Sequence, residues 1–510
     1  MLSQIKALVV ILAVALPVFW MAAVAWPESA RPDIRRWRWA FVLVTVLSFV
    51  TPSIWIYVLA MPLVVAAFLA PEGERAQRAA VLWALLMLAV PNAGAYIAGI
   101  GGISNFFEMT HTRALSFALL VPAIVMMPKK SAQRPGLLGI VTDWFVLAYF
   151  LVQLAVLVPY ASTTDLIRQA FVLCVDTLLP YWVFSRAFVD VEGIRSALRA
   201  FVLVALALSV LAMFESVRRW PLYDAVSVHW GIDWDMIVFL ERAGLLRAKA
   251  SAGHSLMLGC VLLVAWGWWW IVQTELKQRI WVTLGTLGLL AGLAASLARG
   301  SWLGAGVLTV LMVAMGRAPV RNLLLIGGGG VAFLGIAAAV PALSFVIDML
   351  PFVGNVDSEN VEYRQRLLEI SLGLIAQSPW LGVPGYLNYM EELRQGQGII
   401  DIVNSYLAVA LTTGVVGVFC FVGMLVSMMW GLWRVRQSRE VPPDGRHMAS
   451  CLLATTLALM FTLVTTSSIV VVLQLTYMLV GIGVSCARLY RPPKKSLQLT
   501  EGLVALRQQQ

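Results

Sequence analysis

Charged side chains are scarce in this sequence. Only 13% of its 510 residues are charged, whereas 60% are hydrophobic, and the mean hydropathy is +0.84. A soluble domain has about 25% charged and about 45–50% apolar residues, and it could not bury so large an apolar excess. The composition therefore excludes soluble, disordered and collagen-like proteins, and it makes the lipid bilayer the natural surroundings of most of the chain.

Cysteine and histidine are also rare, with five and four copies. The cysteines lie far apart in apolar runs without a Cys-x-x-Cys pair, which excludes a disulfide scaffold and a zinc site. The glycine run 327–330 lacks the following Lys-Ser or Lys-Thr of a phosphate-binding loop. Asp233-Trp234-Asp235 could in principle hold a metal, but a solvated loop is favoured there. We therefore expect neither a metal nor a cofactor.

What the sequence does contain is a succession of apolar segments long enough to span a bilayer, separated by short polar loops. We expect an all-α polytopic integral membrane protein with about 12–15 transmembrane helices. The predicted segments are 7–26, 39–70 with a break at Pro52, 79–97, 113–128, 137–160, 168–185, 198–216, 253–273, 281–298, 301–316, 322–345, 402–433, 447–466 and 471–487.

Lys and Arg exceed Asp and Glu by 37 to 27, which gives a net charge of +10. Cytoplasmic loops of membrane proteins concentrate Lys and Arg, so this excess indicates membrane orientation rather than nucleic-acid binding. The basic clusters alternate consistently from residue 71 onward, while the orientation of the first 70 residues stays open. The clusters are Arg31/Arg35/Arg36/Arg38, Lys129/Lys130/Arg134, Arg186/Arg195/Arg199, Lys277/Arg279, Arg317/Arg321, Arg434/Arg436/Arg439/Arg446 and Arg488/Arg491/Lys494/Lys495.

This orientation leaves two long segments outside the membrane, where chemistry is to be sought. In the second, the apolar residues Leu367, Ile370 and Leu374 repeat with a helical period, which predicts an amphipathic helix on the outer surface. The resulting division is into N-terminal transmembrane helices 1–216, an outer loop 217–252, transmembrane helices 253–345, a large outer loop 346–401, C-terminal transmembrane helices 402–487 and a cytoplasmic tail 488–510.

Four patterns occur in order between residues 241 and 417. They are ERAGLLRAKASAGHSLMLG (241–259), SLARGSWLG (296–304), YRQRLLEISLGLIAQSPWLGVPG (363–385) and DIVNSYLAVALTTGVVG (401–417). Together they resemble the O-antigen ligase and Wzy-type polymerase superfamily, integral membrane enzymes of bacterial surface polysaccharide assembly. The matching features are an arginine-rich approach to a helix, a Ser-Arg-Gly-type motif with Ala298 in place of serine, an arginine followed by Pro-x-x-Gly, and an Asn-x-Tyr-Leu helix start.

The resemblance implies a GT-C-like fold and transfer of a glycan from undecaprenyl pyrophosphate to an acceptor sugar at the periplasmic face, without nucleotide or metal. Arginine suits a departing pyrophosphate because its planar fork pairs with phosphate oxygens and stays charged. Arg299, Arg364 and Arg247 are the main candidates, with Arg242 and Arg366 beside them. Arg299 interrupts an apolar run, which marks a functional group at membrane depth; the alternative is a short external turn.

The catalytic base is harder to assign. Members of the superfamily carry a histidine before the asparagine of the last motif, whereas Val403 precedes Asn404 here. Asp401 and His254 are the possible substitutes. Acidic residues near helix N-termini are also common dipole partners, and a histidine at a helix start is often only hydrogen-bonded. We therefore predict catalytic roles for Asp401, His254 and Asn404 with these structural alternatives open.

The function predicted on this basis is polymerisation of exopolysaccharide or O-antigen repeat units in the bacterial inner membrane, with the active site on the periplasmic side. Attachment of polymer to lipid A–core is the alternative, and a polysaccharide flippase is a third possibility. The absence of an internal repeat and the polar outer loops favour an enzyme over a transporter. The expected partners are an undecaprenyl-pyrophosphate-linked glycan, an acceptor glycan or lipid A–core, the bilayer and a chain-length co-polymerase, without nucleic acid.

Overall fold

A computed structural model describes most of the chain. The described residues are 2–69, 75–99, 105–127, 138–232, 239–242, 244–316, 318–339, 358–394, 400–467 and 470–490. The structure is 78% helical with almost no sheet. Among the described residues, eight helices are long and apolar enough to cross a membrane, and five shorter apolar helices accompany them. The predicted all-α polytopic membrane fold is confirmed.

The helices follow the apolar segments of the sequence, because a segment buried in lipid must satisfy its backbone groups internally. They are α1 Leu2–Ala25, α2 Arg31–Val50, α3 Ile54–Ala66, α4 Arg75–Leu86, α5 His111–Met126, α6 Val141–Ala155, α7 Thr163–Arg186, α8 Val191–Arg218, α9 Asp224–His229, α10 Ser255–Val272, α11 Arg279–Ala295, α12 Arg299–Ala314, α13 Pro319–Ala339, α14 Ser358–Gln377, α15 Ser405–Gln437, α16 Pro443–Leu463 and α17 Val470–Leu489.

Two antiparallel hairpins interrupt the helices. The strands β1 Gly94–Ala98 and β2 Asn105–Thr110 form the first, and β3 Glu241–Arg242 and β4 Leu245–Leu246 form the second. The predicted segment 79–97 was therefore wrong beyond α4. Its apolar residues continue past Pro91, which lacks a backbone N–H to continue a helix, into an extended strand. The predicted break at Pro52 is confirmed, since α2 and α3 are separate helices.

The orientation of the N-terminal helices, which the sequence left open, follows from contacts. The side chain of Gln4 lies 3.5 Å from the His229 ring, and the indole of Trp230 donates to the carbonyl oxygen of Thr51 at 3.1 Å. The start of α1 and the end of α2 therefore lie at the same end of the bundle as residues 217–254. We call this the loop end.

The opposite end, which we call the basic end, carries an ion-pair network. Arg199 on α8 pairs with Glu275 at 2.8 Å, and Arg195 lies 3.8 Å from Glu275 and 3.6 Å from Asp444. These residues come from the first turns of α8 and α16 and from the segment after α10. The arrangement agrees with the side on which the sequence places Arg195 and Arg199.

Small residues allow α10, α12 and α16 to pack closely behind the loop end. A Cβ atom on Gly259 would come 2.5 Å from the Ser301 hydroxyl, and one on Gly300 would come 2.2 Å from the hydroxyl of Thr465. Small residues at helix contacts are typical of membrane proteins, where close van der Waals packing drives association. This packing fixes the start of α12, where Arg299 lies.

Ion pairs are also buried among the N-terminal helices. Asp143 pairs with Arg186 and Asp176 pairs with Arg113, each at 2.8 Å. Both acids are thus neutralised inside the bundle. His111, at the start of α5, lies among the same helices. It is fully buried, and its ring lies 2.7 Å from the Tyr57 hydroxyl, because the residues before it form β2 rather than a loop.

The segment in which the sequence predicts an amphipathic helix forms α14. Leu367 and Leu374 are buried against Leu407 and Leu411 of α15, while most of the other face of α14 is exposed. Residues 340–357 and 395–399 lie outside the described residues, and so do Asp233, Trp234 and Asp235.

Candidate active site

The segment 239–254 lies across the loop end, against the connection between α11 and α12. Within the β3–β4 hairpin, Gly244 has a φ of +75°, which glycine adopts without steric cost. The Arg242 guanidinium donates to the carbonyl oxygen of Leu297 at 2.9 Å, and the amide of Ala248 donates to the carbonyl oxygen of Ala295 at 3.1 Å. These bonds place Arg242 and Arg247 beside the start of α12.

Arg247 is the centre of a charged group at this place. Its pKa is lowered to about 10, by burial first and then by the positive charges of Arg242 and Arg299, against an opposing effect of the Asp401 carboxylate. Like charges disfavour the charged form of a group and opposite charges favour it. The structure therefore brings three other predicted residues within electrostatic range of Arg247, two cations and one carboxylate. We call Arg242, Arg247, Arg299 and Asp401 the charged cluster.

Arg299 is the first residue of α12, after the turn Ser296–Ala298. The apolar run around it is two helices, α11 and α12, joined by a turn at the loop end, so the structure shows the turn that was the alternative interpretation of this residue. Ala298 occupies the N-cap position and has no polar side chain to accept from the first amides of α12. The amides at a helix N-terminus and the helix dipole favour an anion there.

Asp401 is held by groups from two other elements. Its Oδ1 atom accepts a hydrogen bond from the Ser467 hydroxyl at 2.6 Å. The Tyr363 hydroxyl of α14 lies 3.1 Å from both the amide nitrogen and the carbonyl oxygen of Asp401. The carboxylate is thus oriented by the α16–α17 connection, while the backbone beside it is tied to the amphipathic helix.

Asn404 and His254 both serve as N-caps. The Asn404 amide oxygen accepts from the amides of Tyr406 at 3.0 Å and Leu407 at 3.1 Å. The Nδ1 atom of His254 accepts from the amide of Leu256 at 3.2 Å, so the structural alternative weighed for this histidine is what the structure shows. The pKa of His254 is lowered to about 4, by burial first and then by Arg247 and Lys249. The ring is therefore neutral at pH 7.

Arg364 and Arg366 are not brought into the charged cluster by any contact within the described part of the chain. Both are exposed on α14. Arg366 pairs with Glu362 at 3.1 Å, one helical turn away, and both side chains are 64% exposed. Arg364 follows Tyr363, the residue that contacts Asp401, but makes no ion pair with another described residue.

Several contributors were missed by the sequence reasoning. Ser467 and Tyr363 hold Asp401, and the Lys249 ammonium pairs with Asp224 at 2.8 Å beside the segment that carries Arg247. Glu215, near the end of α8, is fully buried. Only Glu215 had a signal in the sequence, as an acid inside an apolar segment, which is a functional hypothesis by default.

Metal ligands were expected to be absent. Within the ranges that the structure describes, no group of three His, Cys, Asp or Glu side chains is placed to hold a metal ion. The Asp233-Trp234-Asp235 pattern lies outside these ranges.

Residues 284–422 match a family model described as O-antigen ligase. The predicted resemblance to the O-antigen ligase and Wzy-type polymerase superfamily is confirmed. The matched O-antigen ligase region contains Arg299 and Asp401, whereas Arg242 and Arg247 come from the segment before it. A search of curated proteins finds no match. The chain is thus a multi-pass membrane protein in which residues 284–422 are similar to the O-antigen ligase family, whose members are glycosyltransferase-like enzymes.

Proposed function

We propose that this protein transfers a glycan from undecaprenyl pyrophosphate to an acceptor sugar at the periplasmic face of the bacterial inner membrane. The observation that carries the proposal is the charged cluster at the uncapped N-terminus of α12. It combines cations that can bind a pyrophosphate with a carboxylate that can accept a proton, in and beside the region that matches the O-antigen ligase model.

In the proposed reaction, the acceptor hydroxyl oxygen attacks the anomeric carbon of the donor sugar. The bond from this carbon to the pyrophosphate oxygen breaks, and its electron pair leaves with undecaprenyl pyrophosphate. Asp401 takes the proton of the acceptor hydroxyl. Arg247, Arg299 and Arg242 stabilise the negative charge that develops on the leaving group, which is the electrostatic contribution expected to dominate.

The capping roles of His254 and Asn404 favour Asp401 as the base. The Nδ1 atom of His254 is already occupied by an amide, and so is the side-chain oxygen of Asn404. The Asp401 carboxylate has one oxygen bound to Ser467 and a second one that can face an acceptor.

Polymerisation of repeat units is the preferred form of this activity, because the histidine typical of the ligases is replaced by Val403. Attachment of finished polymer to lipid A–core is the alternative acceptor chemistry. Two further proposals rest on the resemblance alone. Arg364 contacts the substrate when the donor is bound, and a chain-length co-polymerase is a partner of the protein.

A deletion strain tests the proposal. Lipid A–core capped with single repeat units, or lost exopolysaccharide, would indicate a polymerase. Full-length polymer stranded on undecaprenyl pyrophosphate would indicate a ligase. Accumulation of lipid-linked units on the cytoplasmic leaflet would contradict both and favour a flippase.

Membrane sidedness needs its own test, because it rests on the basic residues of the sequence. A cysteine introduced near Ser227, at the exposed position Val228, should react with an impermeant maleimide in intact spheroplasts, whereas one near Ser438 should react only after lysis. Ser227 is on α9 at the loop end, and Ser438 follows α15 at the basic end. Reaction at Ser438 in intact cells would place the charged cluster in the cytoplasm and contradict the proposal.

A further inference from the structure

The carboxylate of Glu215 is buried at the loop end and takes no part in the proposed reaction. Its Oε1 atom accepts from the amide of Leu222 at 2.9 Å. Its Oε2 atom accepts from the amides of Ala250 at 2.8 Å and Lys249 at 3.2 Å. One side chain therefore binds three backbone amides from both ends of the loop that leaves α8 and returns to α10.

The backbone that Glu215 holds is strained. Ala250 has a φ of +45°, in the left-handed region that residues other than glycine, asparagine and aspartate rarely adopt. Such a conformation persists only where the surrounding structure over-determines it. The hydrogen bond to Glu215 is one such constraint, and the ion pair between Lys249 and Asp224 at 2.8 Å is another.

The held turn lies next to Arg247 along the chain. Between them, the amide of Ala248 is fixed to the carbonyl oxygen of Ala295, at the end of α11. Arg247 therefore extends from a short piece of backbone anchored to α8 on one side and to α11 on the other. Because this backbone is short and anchored at both ends, a displacement of Ala250 also displaces Arg247.

We infer that Glu215 is a positioning residue, which sets the place of Arg247 in the charged cluster by holding the left-handed turn at Ala250. The inference rests on the proposed function, since it assigns to Arg247 a pyrophosphate to bind. Glu215→Gln is the informative change. The amide keeps one acceptor oxygen but turns an NH₂ donor toward backbone N–H groups, so part of the clamp is lost while the volume is kept.

Hydrogen exchange of the full-length protein tests the clamp without reference to activity. In Glu215→Gln, at least one of the amides of Leu222, Lys249 and Ala250 should exchange about tenfold faster, because the new side chain accepts through only one atom and that backbone N–H loses its buried hydrogen bond. Glu192→Gln is the matched control. It makes the same change on the same helix at the basic end, where Glu192 is exposed and pairs with Arg199. Equal exchange in the wild-type protein and Glu215→Gln would overturn the inference.

A double-mutant cycle tests whether the clamp serves Arg247. Glu215→Gln should raise the donor KM about tenfold, and adding it to Arg247→Ala should raise the KM no further, since both changes remove one contribution. Independent, multiplying effects would mean that Glu215 only stabilises the fold, which overturns its positioning role. An unchanged donor KM in Arg247→Ala would instead contradict the proposed role of Arg247 in binding the donor, and with it the inferred link between Glu215 and the substrate. Hydrogen exchange would still decide whether Glu215 holds the backbone at Ala250.

Discussion

Gly382 and Gly414 lie backbone against backbone, each in a positive-φ conformation. Gly382 has a φ of +73°, and a Cβ atom on it would come 2.8 Å from the amide nitrogen of Gly414. Gly414 has a φ of +63° and a ψ of −165° inside α15, a region open essentially only to glycine. Around them, the amide of Val415 donates to the carbonyl oxygen of Pro379 at 2.8 Å. The Pro-x-x-Gly motif thus binds a kink in α15.

We expect Gly414→Ala to destabilise the protein by about 3 kcal/mol or more, because the new methyl group would both strain φ and collide with the backbone of Trp380. A Cβ atom there would lie 2.3 Å from the Trp380 carbonyl carbon and oxygen. Thermal unfolding of the detergent-solubilised protein measures the loss. Gly373→Ala on α14 is the control, because a Cβ atom there meets no described atom within 4 Å. An unaltered unfolding midpoint in Gly414→Ala would contradict the close backbone contact between Gly414 and the Pro-x-x-Gly motif.

The contact between Gly382 and Gly414 shows which parts of the fold the sequence could predict and which it could not. The helical segments were predictable because spanning a bilayer requires a run of apolar residues. The amphipathic α14 was predictable because Leu367, Ile370 and Leu374 keep the helical period. The contact between Gly382 and Gly414 was not predictable. It joins segments whose approach depends on the whole loop between them, and a glycine has no side chain whose chemistry would indicate a contact.

The residues of the candidate site were likewise predictable only in part. The order of the motifs predicted that Arg247, Arg299 and Asp401 belong to one site, and the structure places them within electrostatic range. Ser467 could not be found, because a hydroxyl-rich turn between two apolar helices is ordinary. The two apolar segments beside Arg299 were predicted as 281–298 and 301–316, but the turn Ser296–Ala298 was not, because it has the composition of a membrane helix.

The lowered pKa of His254 makes a prediction about pH. A histidine with a pKa of about 4 when folded and about 6.5 when unfolded binds more protons in the unfolded state between these values. Its contribution to stability is therefore complete above about pH 6.5 and is lost as the pH falls toward 4. His254→Asn, which keeps a capping oxygen, should remove this loss, about 1–2 kcal/mol at pH 5.

Unfolding midpoints of the wild-type protein and His254→Asn, compared at pH 7 and pH 5, measure the effect. The wild-type protein should lose more stability between the two values than the variant does. Parallel losses in both proteins would show that the His254 ring does not change its protonation on unfolding, and would reopen its assignment as a base.

Asp401→Asn should lower kcat by about 10²–10⁴-fold, the usual range for loss of a general base, with a much smaller change in the donor KM. Ser467→Ala should lower kcat about tenfold, because it removes one hydrogen bond to the carboxylate. Glu391→Gln is the control, since Glu391 is an exposed acid in the same outer segment and pairs only with Arg394 among the described residues. Near-normal kcat in Asp401→Asn would leave it a dipole partner of α15.

The purified protein should form product at the same rate with and without EDTA. The arginines of the charged cluster provide the positive charge that a divalent ion would otherwise supply to the pyrophosphate. Initial rates from a lipid-linked donor, in metal-depleted buffer and after addition of Mg²⁺ or Mn²⁺, measure the dependence. Inhibition by EDTA that a divalent ion reverses would point to Asp233 and Asp235 as ligands.

Arg299 provides the sharpest test of the proposed pyrophosphate site. Arg299→Lys keeps the charge but loses the two-pronged geometry, and Arg299→Ala loses both. A hydrogen bond to a charged group contributes about 1.5–3 kcal/mol, so losing one or two of them should lower turnover by about tenfold to several-hundredfold or more. Insertion into the membrane should be unharmed, because removing a charge beside an apolar segment does not oppose insertion.

Arg366→Ala is the control, since Arg366 is exposed and paired with Glu362. The Arg366→Ala change should have much less effect than Arg364→Ala. Polymer yield from lipid-linked donor, normalised to inserted protein, is the measurement. Normal turnover in Arg299→Ala would make Arg299 an interfacial turn residue and would leave Arg242 and Arg247 alone to bind the pyrophosphate.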